Sequence, residues 1–290
     1  MLPPITIDPL TFFNGQISLP PLSPIALRIQ TLTQDPNADI DPIAELINSD
    51  PALLAQVLKI VNSTYFGLRR EITDAHFATA FLGLGEVSRI ALALSVINAL
   101  RIGDKKDLHR FWYHSFYAAI CAKSIARKFD PLLPLSQLWS AAMLHDIGKL
   151  VYLKFFPDHY RALLQHSDQQ GCLFSEAEEA LGFPASAEIG TLLCLHWKLP
   201  TLIRDSCRIH TLKHLAQKQK WIAEAPCSRV ICLANLFAIL TIEVLNPAKK
   251  EELMAAMMTE LGVNQETFLM FSAELYDLKQ QAEGFIQSLV

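Results

Sequence analysis

The chain has 290 residues, 51% of them hydrophobic, with a mean hydropathy of +0.24. That is enough to bury a sizeable core in one large domain or two smaller ones. A formal net charge of −4 and a pI near 6.1 lack the basic footprint of non-specific nucleic-acid binding, so no nucleic-acid partner is expected. Gly is sparse at 11 residues and charged residues make up 19%, a composition that points to helices packed on helices.

Residues 1–21 are Pro-rich and irregular, an arm that ends in Leu19-Pro20-Pro21. No basic segment followed by an apolar run opens the chain, so no secretory leader is read and a cytoplasmic location is expected. Asp41-Pro42 and Asp50-Pro51 each place Asp at an N-cap and Pro at the first helical position. After the second of these, Leu54, Val57, Leu58 and Val61 form a one-sided apolar stripe, and Val87, Ile90, Ala91 and Leu94 repeat it. Gly83-Leu84-Gly85 lacks the third Gly of a dinucleotide loop and is preceded by no strand; it reads as a helix–turn–helix connection.

A polar break at 103–107 divides an N-terminal helical lobe (18–104) from the rest of the chain. Beyond it, helices are predicted near 108–128, 136–153, 158–169, 174–182, 186–197 and 200–213, then a polar linker over 216–224. Within the apolar helix predicted over 226–245, the most apolar run, Val230 to Ile242, is too short to span a bilayer and is interrupted by Asn235, so no membrane insertion is expected. Two amphipathic helices close the chain around Gly262-Val263-Asn264, with apolar faces drawn from Ala255, Met258, Leu261 and Phe268, Phe271, Leu275. No segment alternates with period two, and the fold class is all-α. The six cysteines include no CxxC pair and read as reduced thiols.

The segment with chemistry is Leu144-His145-Asp146-Ile147-Gly148-Lys149. Adjacent His and Asp offer an imidazole nitrogen and a carboxylate oxygen, both ligands for a divalent first-row metal. Neighbours on a helix point about 100° apart, so they share a metal only if it lies between helices and draws further ligands from facing ones. Lys149, three residues after Asp146, lies on the same face, where an ammonium can hold a phosphate.

With its surroundings, this segment resembles the HD superfamily of metal-dependent phosphohydrolases, and specifically its signal-output branch, the HDOD family. The resemblance runs through Leu19-Pro20, Asn48-Ser49-Asp50-Pro51-Ala52-Leu53 and Val61-Asn62-Ser63-Thr64-Tyr65-Phe66-Gly67. It continues through Ala80-Phe81-Leu82-Gly83-Leu84-Gly85, Phe111-Trp112-Tyr113-His114-Ser115 and Trp197-Lys198-Leu199-Pro200. It implies a multi-helix HD-like bundle with an N-terminal helical lobe: an arm over 1–17, an HDOD domain over 18–214 with its HD-like lobe from 105, and C-terminal helices over 215–290 that complete that lobe or form an interface. The family's metal ligands fall on His114, His145 and Asp146, and the closing Asp falls on Asn235. Of the extra histidines of two-metal relatives, one falls near Ser186 and is absent, and half of a His-His pair remains at His210.

An amide at Asn235 brings one negative charge fewer to a divalent cation. Two readings result. One is a bacterial signal-transduction or regulatory module with a degenerate HD site that acts through proteins or a nucleotide ligand, with receiver, diguanylate cyclase or kinase partners in trans. The other is a metal-dependent phosphohydrolase acting on nucleotides or cyclic dinucleotides. The cofactor is one divalent metal (Fe, Mn, Mg or Zn) or none, the HD residues then being a buried hydrogen-bonded cluster.

Overall fold

A computed structural model describes residues 2–289 except 10, 34, 36, 64 and 217–225. The predicted linker at 216–224 thus lies almost wholly outside the described residues. Among those described there is no strand, and the fold is all-α. Contacts divide the chain into two units, one formed by 1–18 and 110–279, the other by 19–109 and 280–290.

In the second unit, helices α1 (Pro24–Leu32), α2 (Ile40–Asn48), α3 (Pro51–Val61), α4 (Ala75–Leu82) and α5 (Leu84–Leu100) come one after another. Asp50 caps α3, accepting from the Ala52 and Leu53 amides at 3.0 and 3.1 Å, with Pro51 at its start. The other Asp-Pro pair departs from expectation. The cap of α2 is Asp39, not Asp41, and Pro42 sits inside the first turn. The first amide groups of a helix have no partner within it, so a proline there removes no bond. Gly83, at φ +79°, separates α4 from α5 as the sequence suggests. Helix α5 is buried on most sides, with Val87, Ile90, Ala91 and Leu94 all inside and α1, α3 and α4 packed around it. Asn62 accepts from the Ile72 amide and donates to the Leu58 and Ile72 carbonyls, so it closes the turn after α3.

The first unit carries the HD segment. Its helices are α6 (Lys105–Phe129, whose first residues belong to the other unit), α7 (Leu135–Leu144), α8 (Ile147–Phe155), α9 (Pro157–Gln170), α10 (Phe174–Leu181), α11 (Ser186–His196), α12 (Thr201–Arg208) and α13 (Leu212–Ala216). Then come α14 (Pro226–Ile242), α15 (Pro247–Leu261) and α16 (Gln265–Asp277); α17 (Lys279–Leu289) falls in the other unit after its first residue. In the arm, Phe12–Gln16 forms a single π-helical turn that buries Phe12 and Phe13.

Two predicted helices are each two. The segment 136–153 breaks at His145-Asp146, where Asp146 takes φ −102°, ψ 15°, and 200–213 breaks at Ile209-His210-Thr211. Neither break holds a Pro or Gly, so no local signal marks it; packing against neighbouring helices overrides propensity there. On α15 the buried face is Leu253 and Met257, whereas Ala255 is exposed and Met258 and Leu261 are half-buried. On α16 the predicted face holds: Phe268, Phe271 and Leu275 are buried, and Phe268 stacks on Phe237 of α14.

Candidate metal centre

His114 comes from the middle of α6, His145 and Asp146 from the break between α7 and α8, His210 from the break after α12, and Asn235 from α14. All five are nearly withdrawn from water, at 4, 1, 2, 4 and 2% exposure respectively. A charge here needs a partner. The ring nitrogens of His114 and His145 lie 2.9 and 3.1 Å from Asn235 Oδ1, and each Nε2 lies 3.4 Å from Asp146 Oδ2.

The hydrogen positions are set by the outer partners. His145 Nδ1 faces the Ala142 carbonyl oxygen at 2.5 Å; a carbonyl only accepts, so Nδ1 carries the hydrogen and Nε2 of the neutral ring presents a lone pair. Asn235 Nδ2 donates to the His210 carbonyl at 2.8 Å, which turns the amide oxygen toward the histidines. His145 Nε2, Asn235 Oδ1 and Asp146 Oδ2 therefore converge as three acceptors. Such an arrangement is stabilised by a cation. A first-row divalent ion holds N and O ligands at about 2.0–2.2 Å, which sets ligand atoms roughly 3.0 Å apart along octahedral edges and roughly 3.4 Å apart in a tetrahedron. The four separations above match this range, so the residues present fit one metal ion. Burial, opposed by Asp146, lowers the His114 pKa to about 4; a neutral ring is the form that binds a metal.

Lys149, on the first turn of α8, donates to Asp146 Oδ2 at 2.7 Å and its ammonium lies over the Phe174 ring. It thus neutralises the carboxylate rather than pointing free into solvent. Burial alone would push the Asp146 carboxyl up, yet the Lys149 ammonium, with His210 beyond it, holds it well below the usual range. His210 Nε2 approaches the other oxygen, Asp146 Oδ1, at 3.0 Å, and its Nδ1 faces the carbonyls of Ser206 and Cys207. His196, by contrast, is exposed on α11 beside the Phe13 ring.

Three residues escaped the sequence reading. Glu243, just past α14, pairs with Arg110 at 2.5 Å and lies 3.9 Å from His114 Nδ1. Arg110 stands one turn before His114 on the same face of α6, a spacing that could have signalled it. Glu178 is buried, with its Oε1 accepting from the Ser186 amide at 2.8 Å at the start of α11. Burial, only partly offset by Ser186 and Lys149, raises its pKa to about 7 from 4.5. Because the folded state holds this proton more tightly, the associated stability is complete below pH 4.5 and is lost as pH rises through 7. Glu178→Gln is therefore expected to leave stability unchanged at low pH. At pH 8.5 it should stabilise by about 3 kcal/mol, read from urea unfolding at the two pH values. Parallel curves for both proteins would mean that Glu178 does not titrate in this window.

An all-helical fold with a His, His-Asp and Asn cluster between helices defines an HD-type protein. The sequence profile of the HDOD domain matches residues 19–212, and the chain belongs to the HDOD family. An HDOD domain protein of unknown function from Geobacter sulfurreducens has the same fold, with a TM-score of 0.77, 23% identity and 97% of each chain covered. A proposed signal transduction protein from Marinobacter aquaeolei VT8 matches with a TM-score of 0.76 and 22% identity, over 98% of this chain and 62% of the other. A proposed phosphohydrolase from Shewanella amazonensis SB2B does so with a TM-score of 0.71 and 20% identity, over 98% of each chain. An uncharacterized protein of Treponema pallidum (strain Nichols) is 23% identical over 219 residues, 75% of this chain; the chain spans 42% of that relative's length. Among the described residues, no single helix is long and apolar enough to cross a membrane.

Proposed function

We propose that the chain is a regulatory module of signal transduction whose HD-type site binds one divalent metal ion and recognises its ligand without hydrolysing it. The observation that carries this is the convergence of His145 Nε2, Asn235 Oδ1 and Asp146 Oδ2, with His114 Nε2 closing the set. His114, His145, Asp146 and Asn235 would hold the metal, which would supply a Lewis-acid centre for an oxygen of a phosphorylated ligand. Asn235 brings no charge, and Lys149 already offsets Asp146, so the set binds a divalent ion less tightly than one closed by a carboxylate. The module works with signalling modules of receiver, diguanylate cyclase or kinase type, which the family resemblance implies.

The deciding experiment is metal content of the purified, untagged chain together with turnover of a phosphodiester panel. Near one equivalent of metal without turnover is expected; metal-dependent turnover that Asp146→Ala abolishes would replace this reading with the hydrolase. Asn235→Asp tests the ligand set from the other side. It is expected to tighten divalent-ion affinity at least about ten-fold in chelator competition, and unchanged affinity would remove Asn235 from the coordination set.

The site borders a cavity of about 760 Å³, lined by Lys149, Ser186, His210 and Asn235 among others, which gives a ligand room under this reading and under the hydrolase alike. That volume suits a nucleotide-sized ligand.

A further inference from the structure

His114 has one buried nitrogen, Nδ1, without a hydrogen-bond partner. Glu243 Oε1 stands 3.9 Å from it. The other nitrogen, Nε2, lies 2.9 Å from Asn235 Oδ1, an amide oxygen whose orientation is fixed by the bond from Asn235 Nδ2 to the His210 carbonyl. With no cation present, the ring hydrogen belongs on Nε2, where that oxygen accepts it. Nδ1 then points a lone pair at a carboxylate, and the two stay apart, which accounts for the 3.9 Å gap. A metal on Nε2 reverses this. The hydrogen must then sit on Nδ1, facing Glu243.

From this geometry we infer that Glu243 is a positioning residue of the metal centre: its carboxylate accepts the Nδ1 hydrogen of metal-bound His114 and so selects the tautomer that binds. The inference rests on the metal reading above. Metal-bound histidines commonly give their second N–H to a carboxylate, which orients the ring and raises its basicity. Here the carboxylate is itself held. Arg110 pairs with Glu243 at 2.5 Å and with Asp168 of α9 at 3.4 Å. With the Arg110 guanidinium donating to it, the Glu243 carboxylate stays an acceptor. Arg110 and His114, one turn apart on α6, thus face the same carboxylate. Glu243 lies beyond the residues matched by the family profile, 19–212.

The test uses the metal-stripped full chain as wild type, Glu243→Gln and Glu243→Asp. Zinc affinity is measured by chelator competition, and the ring nitrogens of His114 are tracked by 15N NMR with and without zinc. In wild type the His114 hydrogen is expected on Nε2 without zinc and on Nδ1 with it. Glu243→Gln should weaken zinc binding by about 10–100-fold and move the Nδ1–H resonance of the zinc form upfield. Glu243→Asp, which keeps the charge but shortens the reach, should fall between. A merely structural Arg110–Glu243 pair would lower the melting temperature of the metal-free protein and leave the Nδ1–H resonance in place. Wild type that takes up no zinc overturns the metal reading and this one with it. Wild type that binds, with Glu243→Gln binding equally or with its Nδ1–H resonance unmoved, overturns this one alone.

Discussion

Asp146→Ala is expected to empty the metal centre and to destabilise the metal-free fold by about 3 kcal/mol. Both effects have one origin. Asp146 Oδ2 is the oxygen on which His114, His145 and Lys149 converge, and its side chain is almost fully buried. Removing it takes away the one anionic ligand and leaves the Lys149 ammonium, only 17% exposed, without its partner. Breaking a buried pair from one side costs more than the pair contributes, because the remaining charge is stranded. Elemental analysis and urea unfolding of the stripped protein read the two effects separately. Wild-type metal content in the variant would show that the carboxylate is not a ligand, whatever happens to stability.

Gly148→Ala is expected to cost about 3 kcal/mol, although it adds a single methyl group to a helix. A Cβ at Gly148 would lie 1.9 Å from the Ser186 carbonyl oxygen and 2.7 Å from the Gly190 amide nitrogen. Both are backbone atoms, so no side chain can rotate away; α8 and α11 must separate. At an exposed helical position the same exchange would stabilise, since Ala is the better helix former. The sign of the effect therefore tests whether these helices touch backbone to backbone. Because α8 begins just after Asp146, separation should also reduce metal affinity. A variant as stable as wild type to urea would rule out the close approach.

Much of the fold was legible in the chain itself. The 3.6-residue apolar stripes, the Asp50-Pro51 start and the turn at Gly83 are local signals with local causes, and helices formed where they predicted. The candidate ligands His114, His145, Asp146 and Asn235 also stand together, though spread over 121 residues of sequence. Their positions were read from a family resemblance rather than from spacing, because separations that long carry no periodicity.

What the sequence by itself determined is the helical class, most helix positions and the kinds of ligand available. Only the tertiary structure decided where α7 stops and α8 starts, since His145-Asp146 holds no Pro or Gly that would mark a break in the sequence. It alone set the hydrogen positions, because the carbonyls of Ala142 and His210 that orient His145 and Asn235 are backbone groups present at every residue. It alone brought Glu243 to His114, since a charged residue past the end of a helix looks solvated until another helix buries it. Helix periodicity is a property of neighbours in the chain, whereas a coordination site depends on directions and distances between elements, which exist only once those elements are packed.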